Sequence, residues 1–420
     1  MIKQEFINRR EKLEQIMEDN SVVILFSGLP ARSSADAEYS PFHSNRNFYY
    51  FTGIDQKNSI LIIIKADQVI TTYLFIDEYD AFKEKWFGKT LKQEEASAIS
   101  GIDDILLRST FSAKLSQILI KDNNMYGQFE TVYLDEDTPG LIDENNSLAS
   151  FKANIINEYN LKVINIFDEI TKLRMVKSPR EISYIREAIQ MTNHGLNYML
   201  GQLKPGMYEY QARALFEFDL DYTYKAEVAF DTIAASGANG VILHYPQLSS
   251  KMEDGDLLMV DLGAKSNHYC ADISRTYPVN GKFSKEQAKI YSIVLECNKA
   301  VIDYIKPGIT LHELQAFTVS YFEKALLKAK LIKSKEEVRD VYYHSVSHHL
   351  GLDTHDVSLR NLPLEPGNVI TVEPGLYFKK LNIGIRIEDD VLVTDNGSEN
   401  LSSAIIKEIS DIEKLLAKRR

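Results

Sequence analysis

Two stretches of the chain follow one plan. A helical run ends at Lys204-Pro205-Gly206 and another at Lys306-Pro307-Gly308, and each Pro-Gly pair breaks a helix. Thr310 and Glu313 form a capping box that starts the helix after the second breaker. A β-rich stretch then follows each helix pair: "GDLLMVDLGAKSNHYCADISRTYPV" (255–279) and "GNVITVEPGLYFKKLNIGIRIEDDVLV" (367–393). Each runs strand, turn with an acid and Gly or Pro, loop, strand, second acid. A three-residue match alone is chance, but the same order of elements twice points to duplication.

Aligned, the two copies set carboxylates opposite carboxylates: Asp261 with Glu373, and Asp272 with Glu388. A strand-end acid facing water accounts for any one of them. Four in matched positions on apolar strands ("LLMV", "VITV") are harder to explain, because an unpaired buried charge is costly. If they converge, each pair near 4 Å repels by roughly 4 kcal/mol at an effective dielectric of 20. Four carboxylates carry a charge that two divalent cations balance, which favours a two-metal site with shared carboxylates. "HSVSHHLGLDTHD" (344–356) holds four of the nine histidines. One imidazole completes a mixed oxygen and nitrogen shell suited to Mn(II), Fe(II), Co(II) or Zn(II). The others can carry protons, since their unperturbed pKa lies near about 6.5. A water bridging two such ions is acidified to roughly neutral pKa and becomes a hydroxide nucleophile, which is hydrolase chemistry.

The rest of the chain bounds the context. At 420 residues it is too long for one ordinary core. Short β-branched runs "SVVILFSG" (21–28), "SILIIIK" (59–65) and "QVITTYLFI" (68–76) predict strands of a mixed α/β domain. Ser178 and Pro179 predict a helix start, with Ile182, Ile185 and Ile189 at helical spacing. The domain boundary is therefore placed near residue 170, giving domains 1–170 and 171–420. The net charge is -12, and residues 1–170 hold 17 basic against 27 acidic side chains, or -10. With no basic face, nucleic-acid binding is disfavoured. The opening twenty residues are charged throughout, unlike a secretory signal, and the longest apolar run, "ILIII" (60–64), is too short for a membrane. Cys270 and Cys297 read as small core residues of a cytoplasmic protein.

Several stretches together resemble the aminopeptidase P and prolidase family of pita-bread metallopeptidases. They are "SGANGVILHY", "VDLGAKSNHYCADISRTYPVNGKF", "SHHLGLDTHD", "TVEPGLYF" and "GIRIEDD", in the family's order. "FHSNRNFYYFTGI" (42–54) and "EKWFGKTL" (84–91) are similar to its N-terminal domain, and "GSENLSSAIIKEISDIEKL" to its C-terminal end. The resemblance implies a mixed α/β N-terminal domain followed by a pita-bread domain of two αβ halves about a pseudo-twofold axis. It implies Asp261, Asp272, His348, Glu373 and Glu388 as ligands of two divalent metals, Mn(II) foremost, with Asp272 and Glu388 bridging. His244 and His355 are implied to contact substrate and stabilise the tetrahedral intermediate, and His344 to line the pocket. Glu373 is implied to shuttle a proton, and Arg386 to hold the ligand shell.

Three positions depart from the family: Ser345 stands where Gly is usual, the segment between Glu373 and Glu388 is short, and His349 replaces an apolar residue. His349 reads as packing; His43, His194, His268 and His312 match nothing functional. The resemblance implies removal of an N-terminal residue preceding proline, with prolidase activity on Xaa-Pro dipeptides as the alternative. A metal-free pita-bread binding protein is the third reading, opposed by the presence of all five ligands. The implied partners are peptides with proline second and further copies of the chain, as a dimer or tetramer with the N-terminal domain at the interface.

Overall fold

A computed structural model describes residues 2–31, 34, 41–120, 124–137 and 147–418. By its internal contacts the chain divides into two compact units, Met1–Leu173 and Arg174–Arg420.

In the first unit the β-branched runs form strands because both faces can be buried. Strands β1 (Ser21–Phe26), β2 (Ile60–Ala66), β3 (Val69–Ile76), β4 (Asp104–Leu107), β5 (Thr131–Leu134) and β6 (Lys162–Asn165) make one sheet. Its order is β4-β3-β2-β1-β5-β6, antiparallel through β1–β2–β3 and parallel at β3–β4, β1–β5 and β5–β6. Ile60, Ile62 and Ile64 point into a core completed by Phe111, Leu115 and Ile118 of α5 (Phe111–Leu119) and Ile155 of α6 (Leu148–Tyr159). Leu61 and Ile63 are buried too, as a central strand covered on both faces requires. α2 (Arg46–Thr52) is capped by the Asn45 side chain and stopped by Gly53 at φ 67°, where a Cβ would strike the Phe6 ring of α1 (Ile2–Ile16). Within 42–54 the helix thus spans Arg46–Thr52, capped at both ends. α3 (Ala81–Phe87) and α4 (Gln93–Ser100) complete the unit, and the division falls inside α7 (Phe167–Met175).

The second unit repeats its order of elements. α8 (Pro179–Gln202) and α9 (Glu209–Tyr224) precede β7 (Ile233–Ser236), β8 (Leu257–Leu262), β9 (Lys265–Ser266), β10 (Tyr269–Cys270) and β11 (Ile273–Pro278). α10 (Lys285–Tyr304) and α11 (Leu311–Lys328) precede β12 (Val369–Val372), β13 (Gly375–Phe378), β14 (Ile383–Arg386), β15 (Asp389–Thr394) and β16 (Gly397–Asn400), before α12 (Ile409–Leu416). Ser178 and Glu181 close a capping box with Pro179 in the first turn, and Thr310 and Glu313 close another. β8 pairs antiparallel with β7 and β11, β15 with β12 and β16, and β13 with β14 in a separate hairpin. Both cysteines are buried and outside any disulfide. No described helix is long and apolar enough to cross a membrane.

The turn 237–241 passes so close to β14 that a Cβ on Gly384 would lie 1.8 Å from the Gly240 carbonyl oxygen. Backbone cannot yield as a side chain can, so Gly384→Ala is expected to destabilise by at least about 1–3 kcal/mol, as overpacking does. Gly201, in α8, has open space around its Cβ position, and Gly201→Ala is expected to gain roughly 0.4–1 kcal/mol. Urea midpoints of the two variants check the contrast, and equal midpoints would contradict it.

Candidate metal centre

The register of two ladders brings the acids together. In the β8–β11 ladder Asp261 faces Ser274, and Asp272 directly precedes β11. In the β12–β15 ladder Val372 faces Asp389, so Glu373 and Glu388 sit just beyond the paired ends. The Glu388 backbone N–H donates to the Ser274 carbonyl (3.0 Å), joining the two ladders where the acids lie. Residues 346–350 run along the free edge of β12, through Glu373 N to Val346 O (2.9 Å), Thr371 N to His348 O (2.9 Å) and Leu350 N to Val369 O (3.0 Å). His348 is thereby carried to the same end.

Ligand atoms of Asp272, His348 and Glu388 all lie within 4.8 Å of one another. His348 Nε2 is 3.4 Å from Asp272 Oδ2 and 3.6 Å from Glu373 Oε1. Its Nδ1–H donates to the His349 carbonyl (3.0 Å), which fixes the tautomer and turns the Nε2 lone pair toward the carboxylates. Asp261 accepts from Arg386 Nη2 (2.5 Å) through Oδ2, while its Oδ1 is buried without a partner. Arg386 also donates from Nε to Ser274 Oγ (2.7 Å) and from Nη1 to Tyr377 Oη (3.2 Å). Ser274 Oγ in turn donates to Glu388 Oε2 (2.7 Å).

Burial raises the Asp272 and Glu388 carboxyls well above the usual range, and neighbouring acids add to it: Asp261 and Asp390 for Asp272, Asp272 and Glu373 for Glu388. Burial also pushes Glu373 up to about 7, against the pull of His348 and Arg386. Carboxylates that repel in a buried cleft, one with an orphaned oxygen, beside an imidazole lone pair, fit hard or borderline divalent cations. Asp261, Asp272, Glu373 and Glu388 would supply oxygens and His348 a nitrogen.

The remaining histidines divide by their contacts. His344 donates from Nδ1 to the Ser345 carbonyl (2.8 Å) and accepts at Nε2 from Tyr377 Oη (2.8 Å); burial lowers its pKa to about 4. His349 is buried, and burial lowers its pKa to about 3. The His355 ring lies 4.2 Å from that of His348. His244 and His355 line a cavity of about 650 Å³ with Asp261, Asp272, Phe230 and Tyr245. His194, on α8, pairs with Asp219 (2.6 Å) and lines none of this.

Several residues of the centre carried no recognisable mark in the sequence. Tyr377 links Arg386 to His344. Asp389 is fully buried between Arg275 Nη2 (2.8 Å) and Lys407 Nζ (2.5 Å), which pull its carboxyl below the usual range against burial. Asp356 is held by Arg174 Nη2 (2.5 Å) and Lys177 Nζ (3.1 Å) with the same result. The doubled acid in "EDD" was the one hint of the first pair. The second joins residues far apart in the chain and had none.

Such a centre, with a cavity beside it, belongs to a metal-dependent hydrolase. Residues 183–395 match the description "Metallopeptidase family M24", and residues 6–126 match "Aminopeptidase P, N-terminal domain". An Escherichia coli (strain K12) protein named Xaa-Pro aminopeptidase is 34% identical across 100% of this chain and 98% of its own. A solved Bacillus anthracis protein of aminopeptidase P type shares 40% identity with a TM-score of 0.95, over 100% of this chain and 99% of that one. Aminopeptidase P from E. coli, solved with the inhibitor Pro-Leu, shares 33% with a TM-score of 0.89 over the same shares. The chain belongs to metallopeptidase family M24 and has the pita-bread fold.

The centre has a pH signature in the metal-free protein. Folded pKa values above the unfolded ones mean that protonation favours the fold. That stabilisation is complete below the unfolded carboxylate range, near about 4, and is lost as pH rises through the raised values, Glu373's near 7 among them. The paired Asp356 and Asp389 act oppositely only below that range, and His344 and His349, which burial lowers to about 4 and about 3, act oppositely only below the unfolded imidazole value of about 6.5. Between pH 6.5 and pH 8.5 the raised carboxyls dominate, so chelator-treated protein is expected to melt at a higher temperature at pH 6.5 than at pH 8.5, and added divalent metal to reverse the order. A metal-free melting temperature that is flat or rises across that interval contradicts the reading.

Proposed function

We propose that the chain is a Xaa-Pro aminopeptidase, releasing the first residue of peptides whose second residue is proline. The observation that carries the reading is the cavity in which His244 and His355 open beside the carboxylates Asp261 and Asp272. The names of the relatives favour this activity over prolidase. Residues 1–170 are proposed as the aminopeptidase P-type N-terminal domain and 171–420 as the catalytic domain. Asp261, Asp272, His348, Glu373 and Glu388 are proposed to hold two metals, Mn(II) first, with Co(II), Zn(II) or Fe(II) compatible; Asp272 and Glu388 would be shared between them. When bound, the metals acidify a water and polarise the scissile carbonyl.

The protein side then moves and places protons. Glu373, whose carboxyl burial pushes up to about 7, takes up a proton near neutral pH and returns it to the departing proline nitrogen. His244 and His355 face the cavity where negative charge develops on the former carbonyl oxygen, and donate to it. His344, with both nitrogens engaged by Ser345 and Tyr377, does not line that cavity but stands beside Glu373 (3.6 Å), and is proposed as a wall of the substrate pocket there. Arg386 fixes Asp261, leaving the orphaned Oδ1 for a metal. An Xaa-Pro bond has no N–H, so the site must recognise proline by its ring. We further propose a cytoplasmic homo-oligomer, dimer or tetramer, supported by two cysteines that form no disulfide and by the acidic surplus of residues 1–170.

Purified protein with Mn(II) is expected to release the first residue of Xaa-Pro-Yaa faster than it splits Xaa-Pro; the reverse order means prolidase. His348→Ala should lose metal. His244→Ala and His355→Ala should keep metal and lose turnover by about 10²–10⁴-fold, the range for a positioned acid–base group. Metal analysis beside kinetics decides: metal loss in all three, or in none, shows that the histidines are wrongly divided.

A further inference from the structure

Glu209, the first residue of α9, is a carboxylate with no exposed surface. Its Oε1 accepts from the Ser236 backbone N–H (2.7 Å), Ser236 Oγ (2.8 Å) and Asn239 Nδ2 (2.8 Å). Its Oε2 accepts from the Ser250 backbone N–H (2.9 Å). The Glu209 N–H donates to the Ser250 carbonyl (3.0 Å), and Asn239 Nδ2 also reaches Ser250 Oγ (2.9 Å). These four donors to the carboxylate are neutral, and a buried charge is tolerated only when so completely bonded.

Ser236 and Ser250 are the two ends of one loop. Between them lie His244, Tyr245, Pro246 and Leu248, all lining the cavity beside the metal centre. Midway, the Val241 carbonyl accepts from Tyr343 Oη (2.7 Å), so the top of the loop is tied separately from its base. The carboxylate holds the base closed: one oxygen gathers the outgoing strand end, the other the returning one. Glutamine could not do the same, because its amide nitrogen would turn a donor on one of these donors.

We propose that Glu209 is a positioning residue for His244, setting where its imidazole stands against the substrate carbonyl without touching substrate itself. The inference rests on His244 acting on substrate, as proposed above. The test is a double-mutant cycle in the full-length, Mn(II)-loaded protein with an Xaa-Pro-Yaa peptide, read as kcat, KM and metal content. E209Q is expected to lower kcat by about tenfold or more, with KM and metal content little changed, whereas a residue serving only general stability would move metal content too. E209Q/H244A is expected to match H244A within about twofold, because the clamp has nothing left to position. Losses that multiply in the double variant, or metal lost from E209Q, would overturn the proposal. Full activity in H244A would instead show that the reading of His244 had failed, and the proposal with it. If E209Q does not fold, N239A removes one donor and leaves the carboxylate. Its loss, expected to be smaller, must then be absent in the H244A background, and a loss that persists there overturns the proposal.

Discussion

Everything in the second unit is arranged around like charges brought together out of water. Asp272, Glu373 and Glu388 converge on His348 in a buried cleft, each carboxyl raised by burial and by neighbouring acids, Asp261 among them. Nothing about stability alone would favour this, since uncompensated buried charge opposes folding. The acids are held by main-chain register, which does not relax when side chains repel. Two ladders fix where the acids fall, and the Glu388–Ser274 hydrogen bond fixes the ladders to each other. Main-chain hydrogen bonds thus hold the acids together although their charges repel.

Other buried acids in the same unit show what a structural carboxylate looks like. Asp356 faces Arg174 and Lys177; Asp389 faces Arg275 and Lys407. Their partners overcome burial and hold them ionised. Neighbouring positions therefore diverge: Glu388 is driven up while Asp389, next in the chain, is pulled down. Glu388 faces other carboxylates and Asp389 faces two cations, and the directions of their shifts follow that difference. Arg386 stands between the classes. It satisfies one oxygen of Asp261 and leaves the other bare.

Local chemistry was legible in the sequence, and tertiary partnership was not. The capping boxes at Ser178 and Thr310 announce their helices because the signal lies within four residues. The three β-branched runs announce their strands for a similar reason, and the repeat of elements carried the duplicated architecture. The four acids stand at matched positions of the repeat, whereas the roles of His244, His348 and His355 follow from the family resemblance; the fold brings Asp272, Glu388 and His348 together. The aromatic run within 42–54 forms α2, with Asn45 and Gly53 capping it and Phe6 packed at its end. Partners such as Arg174 for Asp356, or Glu209 for Ser250, are lone ionisable residues in sequence. They gain meaning only from contacts that no local spacing encodes.

The histidines of 344–356 make the same point within one short segment. Successive residues of an extended strand point to opposite faces, so His348 and His349 cannot share a fate. The His348 carbonyl bonds Thr371 and its Nε2 meets the carboxylates, while His349 bridges Ile370 and packs inward. A slip of one residue along β12 would exchange ligand for packing residue and empty the centre of nitrogen. The bonds of Val346, His348 and Leu350 to β12 prevent that slip. Beyond them the segment turns: Gly351 admits the Asp356 carboxylate so closely that a Cβ would lie 2.3 Å from it. Arg174 and Lys177 hold that carboxylate, so His355 is left facing the cavity beside His348. One strand edge and one buried ion cluster thus sort four identical side chains into different surroundings.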